Sequence, residues 1–267
     1  MTANFVHLHT HTEYSLLDGA SRIKKLINTA KEMNMPAIAI TDHGVMYGAI
    51  DFYKAAKVAG IKPIIGCEVY ITSTSRHNRG PGEKEESYHL ILLAENNTGY
   101  QNLIKLVSIG HLEGFYYRPR IDREVLRQYS EGLIATSACI AGEIPARILM
   151  GDMDKAREIT KAYVDIFGRD NFFIELQNHG MSEEAEANAG LKIIAREFGL
   201  GLIATNDIHY VRREDSEAQD ILLCVQTGRR VNELDRMKFP SDEFYLKDTQ
   251  EMAALFADTP EALANTV

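Results

Sequence analysis

Ala37-Ile-Ala-Ile-Thr-Asp-His43 is an apolar run of four residues that ends in a hydroxyl, a carboxylate and an imidazole. It is too short for a helix, and it has the all-apolar character of a strand covered on both faces. On its amino side, residues 21–34 place Ile23, Leu26, Ile27, Ala30 and Met33 on one helical face. On its carboxyl side a second helix is expected over residues 47–59. The rhythm repeats along the chain. Strands are expected at 5–9, 63–71, 89–94, 133–137, 172–176 and 202–205. Helices are expected from about residue 99, at 141–150, at 153–167, and from a cap at Ser182 to Gly199. Seven strands alternating with helices predict an α/β protein with a parallel sheet, closed at this length into a (β/α)7 barrel of the TIM-like kind.

The chain has 267 residues, 45% of them hydrophobic, enough for one large domain or two small ones. No apolar run reaches the roughly 18 residues of a membrane span, and no basic-then-apolar leader opens the chain. The expectation is a cytoplasmic protein with no membrane partner. A net charge of −9 excludes a protein that coats nucleic acid by bulk basic charge. Cys67, Cys139 and Cys224 are an odd number without paired spacing, which argues against a disulfide framework. The strand rhythm stops near residue 215. We therefore expect a barrel over 1–215 and a helical extension over 216–267, broken by a short extended piece at 243–246. The pattern runs on to Val267 without a stop signal, as in a fragment of a longer protein.

Ionisable residues gather at the ends of these strands. His7 and His9 are two apart in an extended run, so both rings face one side. Asp207 and His209 repeat that spacing after the last strand. Asp42-His43 follows the second strand, Glu68 lies on the third, His89 opens the fourth, Cys139 follows the fifth, and Asp18 sits in the loop after the first. Barrel active sites assemble at carboxyl ends of strands. His89 fits least, because it precedes its apolar run. Singly, each has an ordinary explanation: Cys139 as a small buried residue, Asp18 as a helix cap, Asp42-His43 as a turn. Those explanations do not account for clustering at strand ends. Five imidazoles, three carboxylates and one thiolate exceed what one zinc takes, about four ligands, and suit two to three divalent ions. The N, O and S mixture favours zinc, with manganese or iron next, over magnesium. His11 is read as lying beside the site and as the candidate catalytic group. His77, His111 and His179 are left outside it.

Gly114-Phe-Tyr-Tyr117 leads into Arg118, Arg120, Arg123 and Arg127. Cations beside aromatics can follow a phosphate backbone and stack on bases, which makes Arg118 and Arg120 the nucleic-acid candidates. A solvated face shared with Asp122 and Glu124 is the alternative. The polar stretch 72–87 reads as a loop, with Arg76, Arg79 and Lys84 offset by Glu83, Glu85 and Glu86.

His7-Leu-His-Thr10, Thr41-Asp-His43, Glu68, His89 and Thr205-Asn-Asp-Ile-His209 resemble the motifs of the polymerase and histidinol phosphatase (PHP) superfamily. Within it, Phe5-Val-His-Leu-His-Thr-His-Thr12, Tyr14-Ser-Leu-Leu-Asp-Gly-Ala20, Gly60-Ile-Lys-Pro-Ile-Ile-Gly-Cys-Glu68 and Phe115-Tyr-Tyr-Arg-Pro-Arg120 look like the N-terminal domain of the bacterial replicative DNA polymerase III alpha subunits. The resemblance covers essentially the whole chain. It implies a distorted seven-stranded barrel and a trinuclear metal centre held by His7, His9, Asp18, His43, Glu68, His89, Cys139, Asp207 and His209, with no ligand eroded. It also implies, in some members, a metal-dependent 3′–5′ exonuclease that proofreads. The partners implied are DNA at the primer 3′ end, the remaining domains of a polymerase, and a separate proofreading exonuclease subunit. The polymerase's own catalytic acids belong to a later domain that this chain lacks. Two alternatives stay open: a small-molecule phosphatase of the histidinol phosphatase type, and a metal-stabilised scaffold without catalysis.

Overall fold

A computed structural model describes residues 5–16, 18–80 and 87–267. Its elements are α1 (Ile23–Glu32), β1 (Ala37–Ile40), α2 (Ala49–Ala59), β2 (Lys62–Thr72), β3 (Ser87–Ala94), α3 (Asn97–Leu112), β4 (Phe115–Tyr116), β5 (Arg118–Ile121), α4 (Arg123–Gln128), β6 (Leu133–Thr136), α5 (Glu143–Leu149), α6 (Met153–Phe167), β7 (Phe172–Leu176), α7 (Ser182–Phe198), β8 (Leu202–Ala204), α8 (Ser216–Thr227), α9 (Thr249–Leu255) and α10 (Glu261–Ala264). Glu83, Lys84, Glu85 and Glu86 of the polar loop lie outside the described residues.

The strands form one curled sheet in the order β4-β5-β2-β3-β6-β7-β8, with β1 also beside β2. The expected first strand is not a regular one. Residues 5–10 are extended, with one bridge from His7 to Ile38 and another from Thr10 to Ile208. This segment joins the β1 side of the sheet to the β8 side, so it serves as the irregular seventh stave of a distorted barrel.

The sheet is not fully parallel, which corrects the expectation. β3 runs antiparallel to both β2 and β6, while β1–β2, β6–β7 and β7–β8 are parallel. The reason is in the connection. A parallel neighbour needs a crossover of a dozen or more residues, usually a helix, whereas a loop can turn a chain straight back. Only the polar stretch separates β2 from β3, so β3 returns beside β2 with Tyr70 opposite His89. Its amino end therefore lies where its neighbours have their carboxyl ends.

The helices end as their sequences direct. Gly60 and Gly199 terminate α2 and α7 in the left-handed conformation, at φ 81° and 65°. Ser182 is the first residue of α7 rather than its cap, which is Met181. The short β4–β5 hairpin and α4 were not expected. Residues 216–267 carry α8, α9 and α10, with an irregular stretch between α8 and α9 in which Tyr245 is bridged to Tyr210. They do not stand apart from the barrel: Met252, Phe256, Ala262 and Leu263 share one buried cluster with Phe5, Leu92 and Phe172. No helix among the described residues is long and apolar enough to cross a membrane.

Candidate metal centre

Three overlapping groups of donors occupy the carboxyl end of the curled sheet: His9, His11 and Asp207; His11, His43 and His209; and His43, Glu68 and His89. Within the first, His9 Nε2 lies 3.1 Å from His11 Nε2, and Asp207 Oδ1 lies 3.1 and 3.2 Å from these two nitrogens. Glu68, fully buried on β2, reaches His43 Nδ1 at 2.5 Å and His89 Nδ1 at 2.8 Å through its two oxygens. Asp18 Oδ2 sits 3.2 Å from His43 Nε2. Cys139 Sγ is 3.7 Å from His89 Nδ1.

Of the nine expected ligands, the structure brings eight together and leaves out His7. His7 Nε2 donates to the Lys247 carbonyl at 2.8 Å, and His7 belongs to none of the three groups. His11 occupies the place expected of it, with its ring stacked on His43 and His209 at 4.0 and 4.3 Å between centroids. The physical reason is the rise of an extended chain. Residues 7, 9 and 11 share a face, but each step of two advances about 6.6 Å, and only the later pair reaches the carboxyl end. His11 is thus a member of the cluster rather than a bystander. His89 belongs because β3 is reversed.

Local structure fixes these donors. Asp42 accepts from Thr12 N, Thr12 Oγ1 and Ser15 Oγ at 2.6, 2.8 and 2.9 Å. Ser15 Oγ, its proton given to Asp42, accepts from His11 Nδ1 at 2.9 Å and His43 N at 3.1 Å. This pins the loop that carries Asp18. A Cβ on Gly19 would lie 2.0 Å from the Thr12 carbonyl, so the loop closes only with glycine there. His209 Nδ1 donates to the Asp207 carbonyl at 2.9 Å. Asp207 itself is held at φ 42°, and Ala138, just before Cys139, at φ 58°. Such conformations are uncommon outside glycine and concentrate at functional sites.

The arrangement fits cations. His11 and His209 spend their Nδ1 protons on neighbours, which leaves Nε2 lone pairs facing the cluster. Two imidazole nitrogens 3.1 Å apart beside a carboxylate must share either a proton or a metal ion. That spacing is close to the roughly 3.4 Å edge of a tetrahedron whose donors sit about 2.1 Å from a zinc ion. Glu68 Oε1 and Oε2, Asp207 Oδ1, Asp18 Oδ1 and His43 Nδ1 are buried and make no well-formed hydrogen bond. Buried polar groups are otherwise satisfied almost everywhere in proteins.

Charge follows the same pattern. Burial opposes ionisation of Glu68, but His89, His43 and His9 outweigh it and hold the carboxyl well below its usual range. Asp207 is likewise held low by His9 and His209 against its burial. Burial also opposes charge on His9, where Asp207, Glu175 and Glu68 prevail and raise it. His11 goes the other way: burial, with His43 and His209 close by, lowers it to about 3.

Sequence reasoning missed Glu175, whose Oε1 accepts from His9 Nδ1 at 2.7 Å. Its signal was a lone carboxylate in the apolar run Phe172-Phe-Ile-Glu-Leu176, on an expected strand like Glu68. Asp42 was noted but not given its part in holding the loop. The arginines divide. Arg118 is exposed, with its guanidinium 4.7 Å over the Tyr70 ring, and Tyr70 packs against His43 and His89. Arg120 is fully buried and donates to the Asn78 carbonyl at 2.6 Å and the Gly114 carbonyl at 3.3 Å, so it offers no surface for a phosphate. Arg123 is paired with buried Glu143, and Arg76 with Asp122 and Glu113.

Residues 7–179 match the family model of the PHP domain. The chain is 52% identical over 266 residues to a DNA polymerase III subunit alpha of Borreliella burgdorferi, covering 99% of this chain and 23% of that protein. It is 48% identical to the subunit of the same name from Thermus aquaticus, over 98% of this chain and 22% of that one. The chain thus spans under a quarter of the length of these curated relatives. Among solved structures, a histidinol phosphate phosphatase from Lactococcus lactis, crystallised with zinc, L-histidinol and phosphate, aligns over 85% of this chain and 95% of that one, with 14% identity and a TM-score of 0.39. With a family model matching well over half of its length, this chain belongs to the PHP domain family.

Proposed function

We propose that this chain is a metal-dependent phosphoesterase, that its finer activity is 3′–5′ exonucleolytic hydrolysis of a DNA primer end, and that it works as part of a replicative DNA polymerase in the cytoplasm. The observation that carries the reading is the sharing of donors. His11 and His43 each belong to two of the three groups, so adjacent ions would share one continuous cluster. His9, His11 and Asp207 would hold one ion, His43, Glu68 and His89 a second, and His11, His43 and His209 a third, with Asp18 beside His43 and Cys139 beside His89. The donor chemistry suits zinc, with manganese and iron as candidates.

Divalent ions here would polarise the nonbridging oxygens of a phosphodiester and lower the pKa of an attacking water toward about 7. The chain's own residues supply placement. Ser15 and the Asp207 carbonyl orient His11 and His209. Arg118, stacked on Tyr70 at the wall formed with His43 and His89, would hold a phosphate of the strand being cut. The relatives' name supports DNA and the remaining polymerase domains as partners; a separate proofreading subunit is a further partner that the motif resemblance alone suggests.

The test offers the zinc- or manganese-loaded chain a 3′-labelled primer and, separately, a phosphate monoester, with chelator and Asp207→Asn controls. Stepwise, chelator-sensitive loss from the 3′ end supports the reading. Monoester hydrolysis alone would assign a phosphatase instead. A loaded chain that cleaves neither substrate is a scaffold.

A further inference from the structure

We infer that Glu175 is a positioning residue that fixes the His9 ring for metal binding. The inference rests on the metal-centre reading above. Glu175 is buried on β7, one step behind the cluster. Its Oε1 accepts from His9 Nδ1 at 2.7 Å, from Thr205 Oγ1 at 2.5 Å and from Gln177 Nε2 at 3.0 Å. Its Oε2 accepts from Thr136 Oγ1. These donors come from the end of β6, from just beyond β7 and from just beyond β8, so three staves hold one carboxylate. The Glu175 backbone N–H is tied as well, to Ser137 Oγ at 2.9 Å.

The consequence for His9 is chemical. An ionised carboxylate can only accept, so the proton on His9 Nδ1 stays on Nδ1. The other nitrogen, Nε2, then points into the cluster, 3.1 Å from Asp207 Oδ1 and 3.1 Å from His11 Nε2. His11 and His209 have weaker acceptors behind their Nδ1 atoms, a hydroxyl and a backbone carbonyl. His9 alone among these three is backed by a full negative charge outside the cluster. That charge raises the basicity of Nε2 and fixes the ring, the way outer carboxylates tune ligating histidines.

Glu175→Gln keeps the shape and an acceptor for His9 but removes the charge, and the Thr136 hydroxyl can turn to accept from the new amide. Two readouts decide. The first is zinc affinity, measured by competition with a chromogenic chelator. The second is the His9 Nδ1–H proton resonance, which a charged acceptor shifts strongly downfield whether or not zinc is bound. We expect E175Q to bind zinc about 10–100-fold more weakly. We also expect the resonance to move upfield while the circular dichroism spectrum and cooperative melting are retained. Unchanged zinc affinity, or no downfield Nδ1–H proton in the wild type, overturns the inference. If E175Q does not fold, Thr136→Val removes one anchor of the carboxylate but keeps its charge, so zinc should bind more weakly while the Nδ1–H resonance stays downfield, and unchanged zinc affinity there overturns the inference. A wild type that takes up no zinc would sink the metal-centre reading instead, and the Nδ1–H resonance then decides the positioning role by itself.

Discussion

His7 and Lys247 are 240 residues apart in the chain, yet His7 Nε2 donates to the Lys247 carbonyl at 2.8 Å. The Lys247 amine turns back to Asn206 Oδ1 and the Glu243 carbonyl, so this one residue ties the C-terminal segment to the strand that carries His9 and His11. We therefore read His7 as a structural histidine and His11 as a candidate metal donor. His11→Ala should lower the zinc bound per chain, read by elemental analysis. His7→Ala should leave that count unchanged and cost about 2–4 kcal/mol through a lost buried hydrogen bond and a cavity. Equal metal content in the two variants would contradict this division of roles.

Most of the barrel was legible because its signals are local. The residue 153–167 helix and the 172–176 strand appear with the bounds expected of them. What was not legible depended on direction and reach. Nothing in His89-Leu-Ile-Leu-Leu93 says which way that strand runs; the polar composition of the connection before it was the available clue. The spacing of His7, His9 and His11 says they share a face, but not which pair reaches the strand end. Arg120 reads as a surface cation, because burial of a guanidinium among carbonyls depends on residues 76–78 of a loop that sequence alone cannot fold.

The burial of His7 has a pH signature. Burial lowers it from 6.5 to about 4, against the raising effect of its bond to Lys247. A depressed folded value means the unfolded chain binds the proton more tightly. The contribution to stability is thus present above pH 6.5 and is lost as pH falls toward 4. Its full size is on the order of 3 kcal/mol. Asp42, raised by burial to about 6, works in the opposite sense and partly masks the trend in the wild type. Urea unfolding of chelator-treated protein at pH 7 and pH 4.5 should show His7→Gln losing less stability than the wild type. Parallel losses would mean that His7 is not buried in its neutral form.

Arg118 and Arg120 should separate cleanly. Arg120→Ala leaves the Asn78 and Gly114 carbonyls without their donor and opens space under the Tyr116 ring, where the guanidinium lies 5.3 Å from the centroid. The expected cost is about 3 kcal/mol, a melting temperature lower by roughly 6–12 °C. Arg118→Ala should melt within about 0.5 kcal/mol of the wild type and bind a single-stranded oligonucleotide more weakly, with a salt slope reduced by about one. An Arg120→Ala protein that melts like the wild type would show that its carbonyl contacts carry no weight.

Metal removal tests the cluster as a structural unit. Glu68, Asp207 and Asp18 bring three carboxylates into one buried region, each with at least one oxygen that makes no well-formed hydrogen bond. The surrounding imidazoles offset part of this charge, and the facing nitrogens of His9 and His11 must share a proton or a metal ion. Bound ions relieve the carboxylate crowding in the folded state only, so they must stabilise it. At free metal about 100-fold above its dissociation constant, each ion adds about 2.7 kcal/mol. Stripping the wild type with chelator should then lower its melting temperature by roughly 5–10 °C per ion of that affinity, and zinc should restore it. Glu68→Gln removes the carboxylate that His43 and His89 share, so its melting should respond much less to zinc. Coincident melting curves for loaded and stripped wild type, with the loss of metal verified, would show that these side chains converge for some reason other than holding ions.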